Sequence, residues 1–335
     1  MTLLAELRKR DLLPRLLSSV HRLHERQMKA PITSRDLPQL QRLAERLEPA
    51  LRRAFLQAVA KIQNSIDLEA LASAINNNQL TAAEAAVKLS TFPEVYGELA
   101  APIRSGFLVG SGLAVRELAQ QGFSLSFNLI NPKAVDYGSR ATLDLVAPFK
   151  DNAKETIRTF LAKALSGETT ASGAAKDIRD LIGLDPNRVK RADNFWQKLV
   201  EQDVSDADIQ RRVGRYMDAL LRERAEVIAR NEIHKAAGAG QQAAWDEAAR
   251  TGLIDKAEYS KVWVVTWDEA LCDLCEPMDG QAVGMDEAFD TPQGSMDYPD
   301  MHVQCRCTAN LVKTDEVAAY VDRLNRPDEK PQSRR

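Results

Sequence analysis

Residues 205–234 read SDADIQRRVGRYMDALLRERAEVIARNEIH, and residues 261–267 read KVWVVTW. In the first stretch Ile209, Val213, Tyr216, Met217, Leu220, Val227 and Ile228 recur at the three-and-four spacing of one helical face. Ser205 followed by Asp208 is a capping box at its start. The spacing predicts the longest helix of the chain. Gly238 and Gly240 mark a bend or a close helix contact before the pattern resumes over Ala243–Ala249. In the second stretch the period changes to two, with Trp263, Val265 and Trp267 on one face and Val262 and Val264 on the other, so a strand covered on both sides is expected. A long helix feeding a short buried strand sets the expected fold class: α+β, mostly α-helical, with a small β element near the C-terminus.

Read backwards from there, the chain yields more helices. Leu13, Leu16, Leu17, Val20 and Leu23 predict an amphipathic helix from about residue 12, with Arg15, Arg22 and Arg26 opposite. Ser34 or Asp36 can cap a second, running through Leu40, Leu43, Leu47, Leu51 and Phe55 to about Ile66. Thr81 with Glu84 reads as a capping box for a third, and helices continue to about Gln120. Ser124–Ile130 alternates and predicts a short strand closed by Asn131–Pro132. Asn152–Leu165 and Ala171–Ile182 form a helical hairpin ended by Gly183, whose Lys176 and Arg179 alone make no DNA-recognition face. Gly110-Ser-Gly112 is no dinucleotide loop, since Val115 stands where the third glycine belongs.

These segments divide into a helical basic region over 1–122, a hairpin region with a short strand over 123–204, a third domain over 205–313 and a tail over 314–335. The tail is helical at most to about Leu324, and the polar NRPDEKPQSRR that ends it is expected to be disordered. With 335 residues, 44% of them hydrophobic, the composition is that of a globular chain and excludes disorder throughout. No stretch approaches the roughly 20 apolar residues of a membrane span, and the start MTLLAELRKRDLLP has no apolar core before its charges.

Charge is distributed unevenly. Residues 1–62 hold 13 basic and 6 acidic side chains, whereas residues 268–300 hold ten acidic and no basic ones. The basic end suits nucleic acid or an acidic protein surface, and the acidic lobe repels a phosphate backbone. All four cysteines lie in that lobe or just beyond it, as Cys272-Asp-Leu-Cys275 and Cys305-Arg-Cys307, with His302 three residues before Cys305. They are too few and too clustered for a secreted disulfide framework, which favours a reducing compartment.

Two-residue separations let Cys272 and Cys275 face one ion, His302 and Cys305 repeat that spacing, and Cys307 can join Cys305 from an extended segment. Five candidate donors compete for four tetrahedral places: Cys272, Cys275, His302, Cys305 and Cys307. Structural Zn²⁺, a redox disulfide pair and unligated thiols all remain open. The Gly-, Pro- and Asp-rich run between the two groups is expected to be a long loop, and a metal joining its ends would anchor it. Catalytic zinc is disfavoured, because an open site keeps three protein ligands, mostly His and carboxylate.

The order ERAEVIARNEIHKAAGAGQQAAW, KVWVVTWDEALCDLCEPMDGQAV, HVQCRC resembles the C-terminal domain of the phage Mu F-like head morphogenesis family, the minor head proteins of tailed phages. The likeness spans about Ser124 to Lys313, and the hairpin ending in Ile-Gly-Leu at 182–184 shares it. Asn231 and Ile233 stand where family helices often carry threonines, and Val303 replaces a frequent proline. The resemblance implies a low-copy virion component, in the capsid interior or at the portal vertex and in the host cytoplasm during assembly. It implies a structural, non-enzymatic role in assembly or genome passage, with a portal, scaffold or major capsid protein as partner. The excess positive charge and amphipathic helices of residues 1–62 place that docking in the basic region, with at most weak, sequence-independent DNA contact. Two other functions compete: a nucleic-acid-binding protein acting through the basic arm, and an enzyme with an acid–base site at Arg230, Glu232 and Asp268. For that polar set the expectation is structural, with Arg230 and Glu232 tying down the strand end at Asp268 and His234 exposed. Trp245, Trp263 and Trp267 are expected in the core.

Overall fold

The computed structural model describes residues 38–125, 132–266 and 271–324. The expected helix near residue 12, the caps at Ser34, Asp36 and Asn131, most of the strand over 124–130, Trp267, Asp268 and the polar tail lie outside the described residues. Among the described residues the protein is mostly helical, with small antiparallel sheets near the C-terminus. No described helix is long and apolar enough to cross a membrane.

The helices are α1 (Pro38–Ser65), α2 (Leu68–Asn76), α3 (Leu80–Ala86), α4 (Phe92–Tyr96), α5 (Ala100–Gln120), α6 (Pro132–Leu165), α7 (Ala171–Leu181), α8 (Pro186–Glu201), α9 (Asp206–Arg250) and α10 (Val317–Leu324). Pro132 occupies the first position of α6, as the Asn131–Pro132 pair predicts, and Thr170 caps α7 through Gly173 N–H. The capping box at Thr81 does not form: α3 begins at Leu80, after Gln79, which makes no side-chain cap. Helix α6 starts twenty residues before the expected Asn152 and runs through Pro148. Helix α8 went unread, although Asp185 caps it through Arg188 N–H and Pro186 opens it.

The chain divides into two compact units. One comprises residues 48–101 and 138–229. It is all helical, and Phe55, Tyr96 and Phe149 meet in its core with ring centroids 5.0–6.0 Å apart. Arg224 lies over the Phe149 ring at 4.8 Å and donates from Nη1 to the Gly183 carbonyl at 2.7 Å. Gly183 has φ +93°, a left-handed conformation that lets its carbonyl end α7 and accept this bond.

Of the described residues, the other unit comprises 38–47, 102–125, 132–137, 230–266 and 271–324, and it holds the β element. Strand β1 (Tyr259–Val264) is buried along its whole length, as its double-faced apolar pattern demands. It pairs antiparallel with β2 (Ala282–Gly284) on one side and β5 (Thr308–Lys313) on the other, with Val262 opposite both Ala282 and Asn310. A separate hairpin joins β3 (Phe289–Thr291) to β4 (Gly294–Met296). The run expected as a featureless loop therefore contributes three short strands. Its Gln281 carbonyl accepts from Trp263 N–H at 2.8 Å, and Gly280 N–H donates to the Trp263 carbonyl at 2.9 Å, so backbone pairing to a buried strand supplies the order that side-chain periodicity does not announce.

Trp245 and Trp263 are fully buried in this core, as expected, and Phe289 meets Trp263 edge-on at 5.2 Å. Helices α5 and α9 cross through glycines in the same unit: a β-carbon on Gly110 would lie 1.8 Å from the Ala237 carbonyl oxygen, and one on Gly240 would lie 1.9 Å from that of Phe107. The glycines of α9 thus mark a close contact.

Candidate metal centre

The two cysteine-bearing segments enter the site from tight turns. Cys275 N–H donates to the Cys272 carbonyl at 3.0 Å, and Cys305 N–H donates to the His302 carbonyl at 3.0 Å, so each pair is folded back over its two-residue spacer. The turns bring the donors together. His302 Nε2 lies 3.1 Å from Cys272 Sγ and 2.9 Å from Cys275 Sγ, and Cys275 Sγ lies 3.9 Å from Cys305 Sγ. Cys272, Cys275 and His302 form one group and Cys275, Cys305 and Cys307 a second, each with its donor atoms within 4.8 Å of one another. Cys275 belongs to both. All four thiols are free, with Cys272 half-buried and the other three buried.

The chemistry of this donor set fits a metal ion. At a zinc–sulfur bond of about 2.3 Å, the sulfurs of a tetrahedral site stand ~3.8 Å apart, close to the separation of Cys275 and Cys305. His302 Nδ1 donates to the Val303 carbonyl at 2.9 Å, which places its proton there and turns the Nε2 lone pair toward the thiols. Hydrogen bonds from Cys275 and Cys307 draw the Cys305 thiol below the usual thiol range, and the bond it makes to Cys305 holds Cys275 well above it. The convergence of the donor atoms is what allows the cluster to hold a cation.

Helix α9 faces this centre with a polar stripe. Asn231, His234, Gly238, Gln241 and Trp245 follow one another at three- and four-residue steps and share one side of the helix. Asn231 Oδ1 accepts from Gln304 N–H at 2.6 Å, and His234 Nε2 lies 2.7 Å from the Cys307 carbonyl, to which it must donate. The β-carbon position of Gly238 lies 2.9 Å from the Tyr298 ring, and Gln241 Nε2 donates to the Ala309 carbonyl at 3.5 Å. His234 is thus buried, against the expectation of exposure, because the segment leading into β5 brings the Cys307 carbonyl onto its ring. This stripe was missed in the sequence. Its signal is the recurrence of Asn231, His234 and Gln241 on a helix whose neighbouring Ile233, Ala236 and Ala237 are fully buried.

The acid–base set is only partly on view. Arg230 Nη1 donates to Gln304 Oε1 at 3.3 Å, Glu232 is half-buried, and Asp268 lies outside the described residues. The arrangement at Arg230 directs it to the turn between His302 and Cys305.

Fold and site together define a mostly helical protein whose small antiparallel β element gathers a Cys/His cluster able to hold a metal ion. Residues 155–310 match the family described as Phage Mu protein F like protein, and over that region the chain is similar to it. The matched region includes all five candidate donors and begins after residue 124, where the likeness read from the motifs starts. No curated protein and no solved structure gives a match.

Proposed function

We propose that the protein is a phage minor head protein that acts in head morphogenesis as a structural component, associated with the portal and the packaged genome. The match of residues 155–310 to the Mu F-like family carries this reading. The convergence of thiols and an imidazole closed on one another supports a structural reading of this cluster. Protein analysis of purified particles tests it: the chain should be present in mature heads at low copy, and heads assembled normally without it would overturn the role.

The cluster is assigned to one structural zinc, held by four of Cys272, Cys275, His302, Cys305 and Cys307. When bound, the ion would cross-link the two ends of the acidic run between the knuckles. Cys275, common to both groups, is then a ligand in every arrangement the geometry supports. Elemental analysis of protein purified without chelator should find about one zinc per chain.

The basic N-terminal region is assigned to docking on a portal, scaffold or major capsid protein, with weak non-specific contact to DNA. Its boundary for testing follows from burial: Leu51, Phe55 and Val59 of α1 are core residues, so a deletion must stop at residue 37. A chain lacking residues 1–37 should remain folded and be lost from heads. Normal incorporation would remove the docking assignment, and a steep salt-dependent DNA affinity abolished by the deletion would favour nucleic-acid binding instead. Glu232→Gln tests the enzymatic alternative: particles that contain this variant at normal levels should remain infectious, and dead particles would promote acid–base chemistry.

A further inference from the structure

We infer that Asn231 and His234 are positioning residues that hold the segment from His302 to Cys307 in the shape its donors need. The inference rests on the metal assignment above and adds residues outside the donor set. Gln304 sits at φ +65°, in the left-handed region that a residue with a β-carbon enters at a cost. That conformation lies between His302 and Cys305 and makes the turn that brings their donors to one point. Three contacts from α9 hold the segment. The Asn231 amide oxygen accepts from Gln304 N–H at 2.6 Å, Arg230 donates to the Gln304 side chain at 3.3 Å, and the buried His234 ring donates to the Cys307 carbonyl at 2.7 Å.

The physical logic is that of an outer shell. A left-handed residue without support relaxes toward ordinary backbone angles, and the relaxed turn no longer presents His302 Nε2 to Cys272 and Cys275. A rigid helix that satisfies the strained residue's own N–H removes that freedom before any ion arrives. Side chains that orient ligands in this way commonly change metal affinity by about 10–100-fold when removed. The strain also gives a specific means of rescue, because glycine adopts the left-handed conformation without the β-carbon penalty.

The test measures Co²⁺ and Zn²⁺ affinity of the full chain by chelator competition, with the ligand-field spectrum of bound Co²⁺ as a second readout. Asn231→Ala should weaken binding by about 10–100-fold, and Asn231→Asp, which keeps the accepting oxygen, should restore most of it. Gln304→Gly should leave affinity near that of the parent and should rescue Asn231→Ala, an outcome that general loss of stability would not give. His234→Gln, which keeps a donor, should exceed His234→Leu in affinity. Unchanged affinity in Asn231→Ala, or failure of Gln304→Gly to rescue it, overturns the positioning role while the metal assignment stands. A parent chain that binds neither ion overturns both.

Discussion

Gly240 meets the backbone of Phe107 so closely that its missing β-carbon would lie 1.9 Å from the Phe107 carbonyl oxygen. The contact is reciprocal, since Gly110 stands against Ala237 in the same way, and Ser111 Oγ donates to the Gly240 carbonyl at 3.0 Å. Backbone presses on backbone here, so no flexible side chain can yield.

Gly240→Ala or Gly110→Ala should therefore destabilise the protein by about 3 kcal/mol or more, despite the better helix propensity of alanine. Gly214 of the same helix α9 has open space around its β-carbon position. Gly214→Ala should stabilise by about 0.5–1 kcal/mol. Urea midpoints of the three variants check the contrast, and equal shifts at positions 214 and 240 would contradict the close crossing.

Burial pushes the Glu117 carboxyl up to about 8, with the Trp245 indole and the Arg116 guanidinium opposing that rise in part. A carboxyl raised on folding binds its proton more tightly in the native chain. The stability this contributes is fully present below the unfolded value of about 4.5 and is lost as pH rises through about 8. Stability should fall across that window by an amount on the order of a few kcal/mol. Glu117→Gln should flatten the profile, and an unaltered slope in that variant would assign it to other groups.

Arg224 is buried, with its guanidinium on the Gly183 carbonyl at 2.7 Å and Nε 3.8 Å from the Asp185 carboxylate. Arg224→Met fills similar space and leaves the Gly183 carbonyl without its donor, while Asp185 keeps its ion pair with Arg188. The expected loss is about 1–3 kcal/mol. Arg224→Lys should recover part of it, since an ammonium keeps the charge and cannot span both oxygens as the planar fork does. Thermal melts of the two variants decide.

Cys275→Ser removes the donor common to both thiol groups. Because metal-binding free energy is also folding free energy, the variant should lose its ion and several kcal/mol of stability in the β-bearing unit. A strong chelator should bring the parent protein down to the same melting temperature and leave the variant unmoved. A variant that still holds one equivalent of zinc would exclude Cys275 from the site.

The knuckle spacing at Cys272–Cys275 and His302–Cys305 was legible because metal-ligand geometry is local: two intervening residues fix where the donors can point. The same holds for the long α9 and the buried β1, whose periods are written in consecutive residues. Helix α8 is equally legible through Asp185 and Pro186 and through the recurrence of Val189, Ala192, Phe195 and Leu199. Gly110 shows the opposite case. Its neighbourhood invites comparison with a phosphate loop, yet its purpose is the approach of a helix more than a hundred residues away, and no local pattern carries that information.

Sequence by itself determined the mostly helical class, the strand that anchors the β element and the five Cys and His residues that the fold brings together. Tertiary structure alone decided that Lys261, within an apolar strand, is buried with Nζ donating to the Asp297 carbonyl at 3.0 Å, and that Asn231 and His234 face the segment from His302 to Cys307. The physical reason is range. Dihedral preference and side-chain period act between neighbours along the chain, whereas the partner of a buried polar group is chosen by whichever distant backbone atom the fold delivers beside it.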